Sequence, residues 1–325
     1  MPCEKCWVTL AVCCCAFTGA AYAQPISAYP SKTIRMVVPS APSGGTDLIA
    51  RLTAQKVGEA WGQTVLVDNV SGGSTRIGIN AVARAVPDGH TWLLTTVNFA
   101  FLPAVYPKLP YDPVNDFTPL IRLANSASVL VVHPVMPAKS VAELVALARS
   151  RPGEIRFGSG GAGSVGHLVS EMFQAQAKIQ LLHVPYKGTG PSTTAVLGGE
   201  IHMLIANMAS LIAHARAGRL RALAVTGTLR AKIAPELPTI AESGLPNYEY
   251  SGWYGLWAPA KTPGAVVRKI NEEFNRILAD AALKARFADV GMDTAGGTPE
   301  SFATYLAAEF SKWDRVAKGA GIRLD

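Results

Sequence analysis

The chain has 325 residues, 49% hydrophobic and 16% charged, with a formal net charge of +7. Its length suits two domains that bury about 75% of the unfolded surface and need no disulfide or metal staple. No block of like charge and no aromatic–basic interleaving accompanies the positive balance, which excludes a nucleic-acid partner and leaves a mild attraction for anions.

In chain order, the first segment reads as one that is removed. Lys5 precedes an apolar run over residues 7–17, and small residues follow up to Ala21-Tyr22-Ala23, the plan of a cleavable secretory signal over residues 1–23 with the cut before Gln24. The run is shorter than the roughly 20 residues of a membrane-spanning helix, and no later stretch reaches that length, so the mature protein is expected not to be membrane-embedded. Cys3, Cys6, Cys13, Cys14 and Cys15 all fall inside this segment. A mature chain without cysteine suits an oxidising compartment and excludes a thiol nucleophile, an Fe–S cluster and thiolate-bound zinc. The bulky Val12 argues against a lipid anchor on Cys13.

Short β-rich runs then alternate with helical ones. Strands are expected at residues 34–38, 65–68 and 92–96, with helices at 47–61, stopped by Gly62, and at 77–86, followed by the turn Pro87-Asp88-Gly89. This β-α-β-α-β order implies a parallel sheet covered by helices. The alternation restarts with a strand at 129–133 and a helix at 140–151 opened by the capping box Ser140-x-x-Glu143. Strands follow at 155–157, 181–184, 201–205 and 220–225. After a strand at 253–258 the chain turns helical at 265–278, 281–290 and 299–317, the last with Thr298 as N-cap and Pro299 at the first position. Two α/β units with two connections suit hinged lobes around a ligand cleft.

One motif raises a question of chemistry. "RFGSGGAGSVGHL" holds Gly158-x-Gly160-x-x-Gly163, the dinucleotide spacing, between a strand and a helix. The acid expected about 20 residues on is missing, since the next strand runs Leu181-Leu182-His183-Val184. A nicotinamide cofactor is therefore not expected. What remains is a glycine turn feeding a helix N-terminus, whose unpaired N–H groups accept any small anion. Ser159 and Ser164 add hydroxyls, and His167 sits one turn into the helix. "VPSAPSGGTDLIAR" repeats the device with a loop from Pro39 to Gly45 and a helix starting at Thr46-Asp47, Asp47 serving as N-cap or as the holder of the loop. Two such starts, one per lobe, suggest a clamp on a small acid.

The sequence resembles the periplasmic substrate-binding proteins of tripartite tricarboxylate transporters, the TctC or Bug family. The resemblance rests on an ordered set running from Tyr29 to Asp325: "YPSKTIRMVVPSAPSGGTDLIAR", "VPDGHTWLL", "KLPYDPVNDFTPL", "GSGGAGSVGHL", "HVPYKGTGP", "LPTIAESGLP", "WYGLWAPAKTP" and "KWDRVAKGAGI". It implies an α/β, two-lobed periplasmic-binding-protein fold (type II, venus-flytrap) with a hinged interlobe cleft. On that reading residues 24–127 and 251–325 form one lobe and 128–250 the other. It also implies a periplasmic monomer that binds a small organic anion, a di- or tricarboxylate, for the membrane permease subunits, with no cofactor, no metal and no catalysis. In the family the ligand carboxylate is held by backbone N–H groups and water between two loops, which fall here on Ser40–Asp47 and Ser159–His167. The candidate ligand contacts are Ser40, Ser43, Gly44, Gly45, Thr46, Asp47, Arg76, Asn98, Ser159, Gly160, Gly161, Ser164, His167, Tyr186, Asn207 and Trp253.

Several positions depart from the family pattern. Ser43 and Ser40 replace a glycine and an aromatic in the first loop. Ala195, His202 and Ala206 stand where acids are usual, and Arg76 where Asn is usual. Lost carboxylates and a gained cation argue against an amino-acid ligand, whose ammonium group needs a carboxylate partner. Arg76, at a helix start where a cation is unfavourable, is expected to snorkel to water or to turn into the cleft toward a second ligand carboxylate. The sequence has no H-E-x-x-H, no G-x-S-x-G and no Walker-type phosphate loop, and its six histidines show no metal-ligand spacing. Two rival readings use the same cleft: an accessory protein that signals to a membrane receptor, and an α/β enzyme acting on a small carboxylate.

Overall fold

The computed structural model describes residues 29–42 and 45–324. The secretory signal with its cysteines, the cut before Gln24, and Ser43 and Gly44 lie outside the described residues. Two sheets organise the chain. The six-stranded sheet holds β1 (Ile34–Val38), β2 (Val65–Asn69), β3 (Thr91–Thr96), β4 (Phe117–Ser126), β10 (Gly252–Pro259) and β11 (Met292–Thr294), in the order β11-β4-β10-β3-β1-β2. The five-stranded sheet holds β5 (Ser128–Val132), β6 (Arg156–Ser159), β7 (Leu182–Pro185), β8 (Met203–Asn207) and β9 (Arg221–Val225), in the order β7-β6-β8-β5-β9. The chain passes from the first sheet to the second between Ser126 and Ser128 and returns between Val225 and Gly252.

The expected all-parallel sheet is only half of each. β1 runs parallel to β2 and β3, but β10 lies antiparallel between β3 and β4, and β11 antiparallel to β4. β6 is parallel to β7 and β8, while β5 is antiparallel to β8 and β9. Local periodicity does not carry strand direction, because direction is set by partners distant in sequence. β10 is buried at all eight positions, as a strand covered on both faces must be. The segment after it packs back on the same sheet. α8 (Gly264–Leu278) packs on β4, and α10 (Pro299–Gly319) packs on α3 (Asn98–Val105) and β4.

Helix starts follow the expected chemistry. Ser140 Oγ accepts from Glu143 N–H at 3.2 Å, and Glu143 Oε2 accepts from Lys139 N–H at 2.8 Å, opening α4 (Val141–Ser150). Thr298 Oγ1 accepts from Ser301 N–H at 3.1 Å ahead of Pro299. Each such cap is worth about 1 kcal/mol. α1 (Gly45–Trp61) ends against Gly62, whose φ of 62° suits the left-handed position after a helix. α2 (Arg76–Ala83) is shorter than expected and leaves Val86 exposed.

Candidate functional site

Four helices start at the facing ends of the two sheets. β3 leads through Val97 into α3, β6 through a glycine loop into α5 (Val165–Ala177), β7 through Gly188 into α6 (Thr189–Leu197), and β8 through Asn207 into α7 (Met208–Arg216). Carboxyl ends of strands that meet helix starts are where α/β sheets bind ligands. A cavity of about 460 Å³ opens there, lined by residues of all four helix starts, by Ser126, Ser128, Tyr250 and Gly252 from the two crossings, and by Trp253 and Tyr254 of β10. No charged side chain lines it among the described residues. Burial pushes the Tyr254 hydroxyl up to about 12, with a hydrogen bond to Ser126 acting against the shift. Burial raises Tyr250 as well, with nearby tyrosine hydroxyls and the Glu309 carboxylate adding to it. Among the described residues the cavity wall therefore carries hydroxyls and amides but no charge of its own.

Of the residues singled out from sequence, Asn98, Ser159, Gly160, Ser164, Asn207 and Trp253 line this cavity together. The glycine loop has a defined division of labour. Gly161 N–H donates to Ser159 Oγ at 3.1 Å, Gly163 N–H to His167 Nδ1 at 3.1 Å and Ser164 N–H to Gly161 O at 3.1 Å. The N–H groups of Gly160 and Ala162 have no acceptor among the described residues. Ser164 Oγ caps α5 by accepting from His167 N–H at 3.4 Å. Asn207 caps α7 by accepting from Ala209 N–H at 2.9 Å. α6 starts at Gly188 without a side-chain cap.

The remaining candidates stand behind the wall. A Cβ on Gly45 would lie 3.0 Å from Tyr254 Oη, so α1 begins against a cavity residue. Asp47, buried in the first turn, accepts from Arg51 Nε at 2.9 Å, while Thr46 is half-buried beside it. The Ser40 hydroxyl is enclosed without a hydrogen bond among the described residues, and its carbonyl accepts from Asn69 Nδ2 at 3.1 Å. Tyr186 runs beneath the glycine loop, its N–H bonded to Ser159 O at 3.1 Å. Gly161 and His167 serve the loop from within.

Arg76 Nε donates to Gly73 O at 2.8 Å, and the guanidinium lies 3.9 Å from the ring centroid of Tyr106, itself a cavity residue. It has no acidic partner among the described residues. Before it, Gly72, Gly73, Ser74 and Thr75 hold φ of 121°, 55°, 54° and 77°, a run in the left-handed region that two non-glycine residues adopt at a cost.

Trp253 is 1% exposed and its indole N–H donates to Glu309 Oε2 at 2.8 Å, so its packing and cavity roles coincide. Sequence reasoning missed Tyr106, Leu324, Thr189 and the crossing serines, since only tertiary structure brings them to the site. It also missed a serine–histidine pair: Ser159 Oγ lies 2.6 Å from His183 Nε2. That hydroxyl is 3.0 Å from Gly161 O and accepts the Gly161 N–H, and the Ser159 residue is 1% exposed, an arrangement that ties a loop rather than presenting a nucleophile.

The family model described as "Tripartite tricarboxylate transporter family receptor" matches residues 49–322. The chain belongs to this receptor family. A relative in Pseudomonas sp. (strain P51), the UPF0065 protein in the tcbD-tcbE intergenic region, is 38% identical over 92% of this chain and 89% of its own length. Protein BugT of Bordetella pertussis is 34% identical over 94% and 95%. Among solved structures, Rhodopseudomonas palustris Rpa4515 with adipate superposes with a TM-score of 0.81 at 36% identity, covering 91% of this chain and 99% of that one. MatC (Rpa3494) of the same organism with bound malate gives 0.76 at 29%, covering 89% and 99%. These receptors carry the two-lobed α/β fold found here.

Proposed function

We propose that the chain is an exported, periplasmic solute-binding protein that captures a small organic acid, a di- or tricarboxylate, and delivers it to the membrane permease of a tripartite transporter. One observation carries this reading: an uncharged cavity between the two sheets onto which four helix N-termini open. Each helix start contributes about half a positive charge and unpaired N–H groups, so an anion is stabilised there without any basic side chain. Charge-assisted bonds to a carboxylate contribute about 1.5–3 kcal/mol each. The Gly160–Ser164 loop supplies the amides of Gly160 and Ala162, and the start of α1 abuts the cavity wall through Gly45 beside Tyr254. A cavity of about 460 Å³ holds such an acid with several waters, each taking about 30 Å³. Adipate and malate, the anions named for two related structures, are both dicarboxylates.

On the same reading residues 24–127 and 251–325 make one lobe and 128–250 the other, and the two crossings act as the hinge on which the lobes close. Arg76 leaves Gly73 and takes the second carboxylate, using a fork that Lys or Gln cannot copy. A thermal-shift screen of the mature protein across mono-, di- and tricarboxylic acids, followed by calorimetry, tests the proposal. A saturable shift by one acid, recovered unchanged after incubation, is the expected result. No shift with any acid, or chemical conversion of the bound one, overturns it.

A further inference from the structure

Behind the glycine loop lies a stack of three rings. Phe157 and His183 have centroids 4.8 Å apart at 20°, and His183 and His167 are 3.8 Å apart at 10°. Phe157 to His167 is 6.2 Å, so His183 is the middle ring. The two imidazoles meet the loop through different nitrogens. His167 uses Nδ1, which receives the Gly163 N–H at 3.1 Å, while its Nε2 lies 3.4 Å from Glu171 Oε1. Nδ1 must therefore be the bare nitrogen and Nε2 the protonated one. His183 uses Nε2, 2.6 Å from Ser159 Oγ, the atom that holds the Gly161 N–H. Two imidazolium rings at this separation would repel, so the stack is built for neutral rings. Glu171 is kept in place by Gln174 from its own helix.

We propose that His167 and His183 are positioning residues of the anion loop. Through one nitrogen each they hold the N–H groups of Gly163 and, by way of Ser159, Gly161, and so leave those of Gly160 and Ala162 for the ligand. The inference rests on the loop being the carboxylate site proposed above.

The test exploits the difference in reach between the two nitrogens. Asn places an acceptor near the Nδ1 position and Gln near Nε2. His167→Asn and His183→Gln are thus matched replacements, and His167→Gln and His183→Asn are mismatched ones of similar polarity. Amide NMR on the ligand-free full chain reads the Gly161 and Gly163 hydrogen bonds, and calorimetry with adipate and malate reads binding. Matched variants are expected to keep the wild-type amide shifts and exchange protection and to bind within a few-fold of wild type. Mismatched variants are expected to lose protection at the corresponding glycine and to bind at least tenfold more weakly. Equal behaviour of the matched and mismatched pairs overturns the proposal. If wild type binds neither acid, the carboxylate reading fails, while the glycine amides still decide whether the histidines hold the loop. Should His183→Asn not fold, Ser159→Ala replaces it, with loss of protection at Gly161 expected and unchanged protection overturning that branch.

Discussion

Leu324 rests on Gly163: a Cβ on the glycine would lie 2.3 Å from Leu324 Cδ1. The Leu324 N–H donates to Val105 O at 2.7 Å, so Leu324 ties the end of α3 to the glycine loop across the cavity they both line. Gly163 has φ of 68°, where a side chain costs about 1–2 kcal/mol. Gly163→Ala should destabilise by that amount plus the displacement of Leu324. In the double variant with Leu324→Ala the second contribution disappears, giving a coupling of about 0.5–3 kcal/mol in urea denaturation. Simple additivity would show that the contact does not exist in solution.

Glu309 is 5% exposed and accepts from both the Trp253 and Trp313 indoles, at 2.8 and 3.1 Å, with Lys312 Nζ 3.4 Å from its other oxygen. Glu309→Ala strands two buried indole donors, while Lys312 keeps Glu249 at 2.9 Å, and should cost about 1–3 kcal/mol for each donor. Glu309→Gln keeps one acceptor oxygen and should cost about 1–2 kcal/mol. Denaturation midpoints of the two variants give the ranking, and equal losses would refute it.

Acid should weaken the fold through His183. Burial, then the neighbouring His167, lower its imidazole to about 4, with the Glu171 carboxylate opposing. An unfolded histidine titrates near 6.5, so between about 6.5 and 4 the unfolded state binds the extra proton and stability falls as pH falls. For a half-buried ring the loss should be about 1–2 kcal/mol after solvent screening. His202, also lowered by burial and by Arg156 and His133, contributes with the same sign. The difference between wild type and His183→Gln, followed by urea melts from pH 7 to 4, isolates the His183 part. Parallel pH profiles would exclude it.

Arg76→Gln should weaken a dicarboxylate at least tenfold more than its monocarboxylate analogue, if the guanidinium exchanges its Gly73 bond for ligand. Equal weakening of both, or none, in calorimetry would confine Arg76 to its stacking role on Tyr106.

Gly45→Leu should push Tyr254 from the cavity wall, because even a Cβ there meets Tyr254 Oη at 3.0 Å and Met292 Cε at 3.2 Å. Losing one or two charge-assisted bonds corresponds to about 10–10⁴-fold in affinity. An unchanged dissociation constant in a folded variant would remove the loop before α1 from the site.

Elements with a strong local signature were legible from sequence. Ile34–Val38 has its expected bounds, and the Ser140 and Thr298 caps form the bonds their spacing required. α3 was not read, because its residues are nearly all apolar and contain Pro103, so no 3.6-residue period marks it. β4 carries Pro119 and pairs with β10 through two irregularities, which blurs alternation. At the site, the glycine loop announced itself by helix-start chemistry, while Asn207 came only from the family resemblance. His183 and Leu324 did not, because one needs the register of β6 against β7 and the other the docking of α10 on α3.

The place of β10 between β3 and β4 bears on how the chain reaches its native state. All strands of the five-stranded sheet are contiguous in sequence, so that sheet can assemble as soon as β9 emerges. β3 and β4 have no direct pairing and must wait for β10, which follows β9. Long-range pairing of this kind delays folding and leaves strand edges open meanwhile. A chain threaded across a membrane from its N-terminus would therefore complete the later sheet first and hold its own beginning unfinished until β10, ending at Pro259 of 325 residues, has crossed.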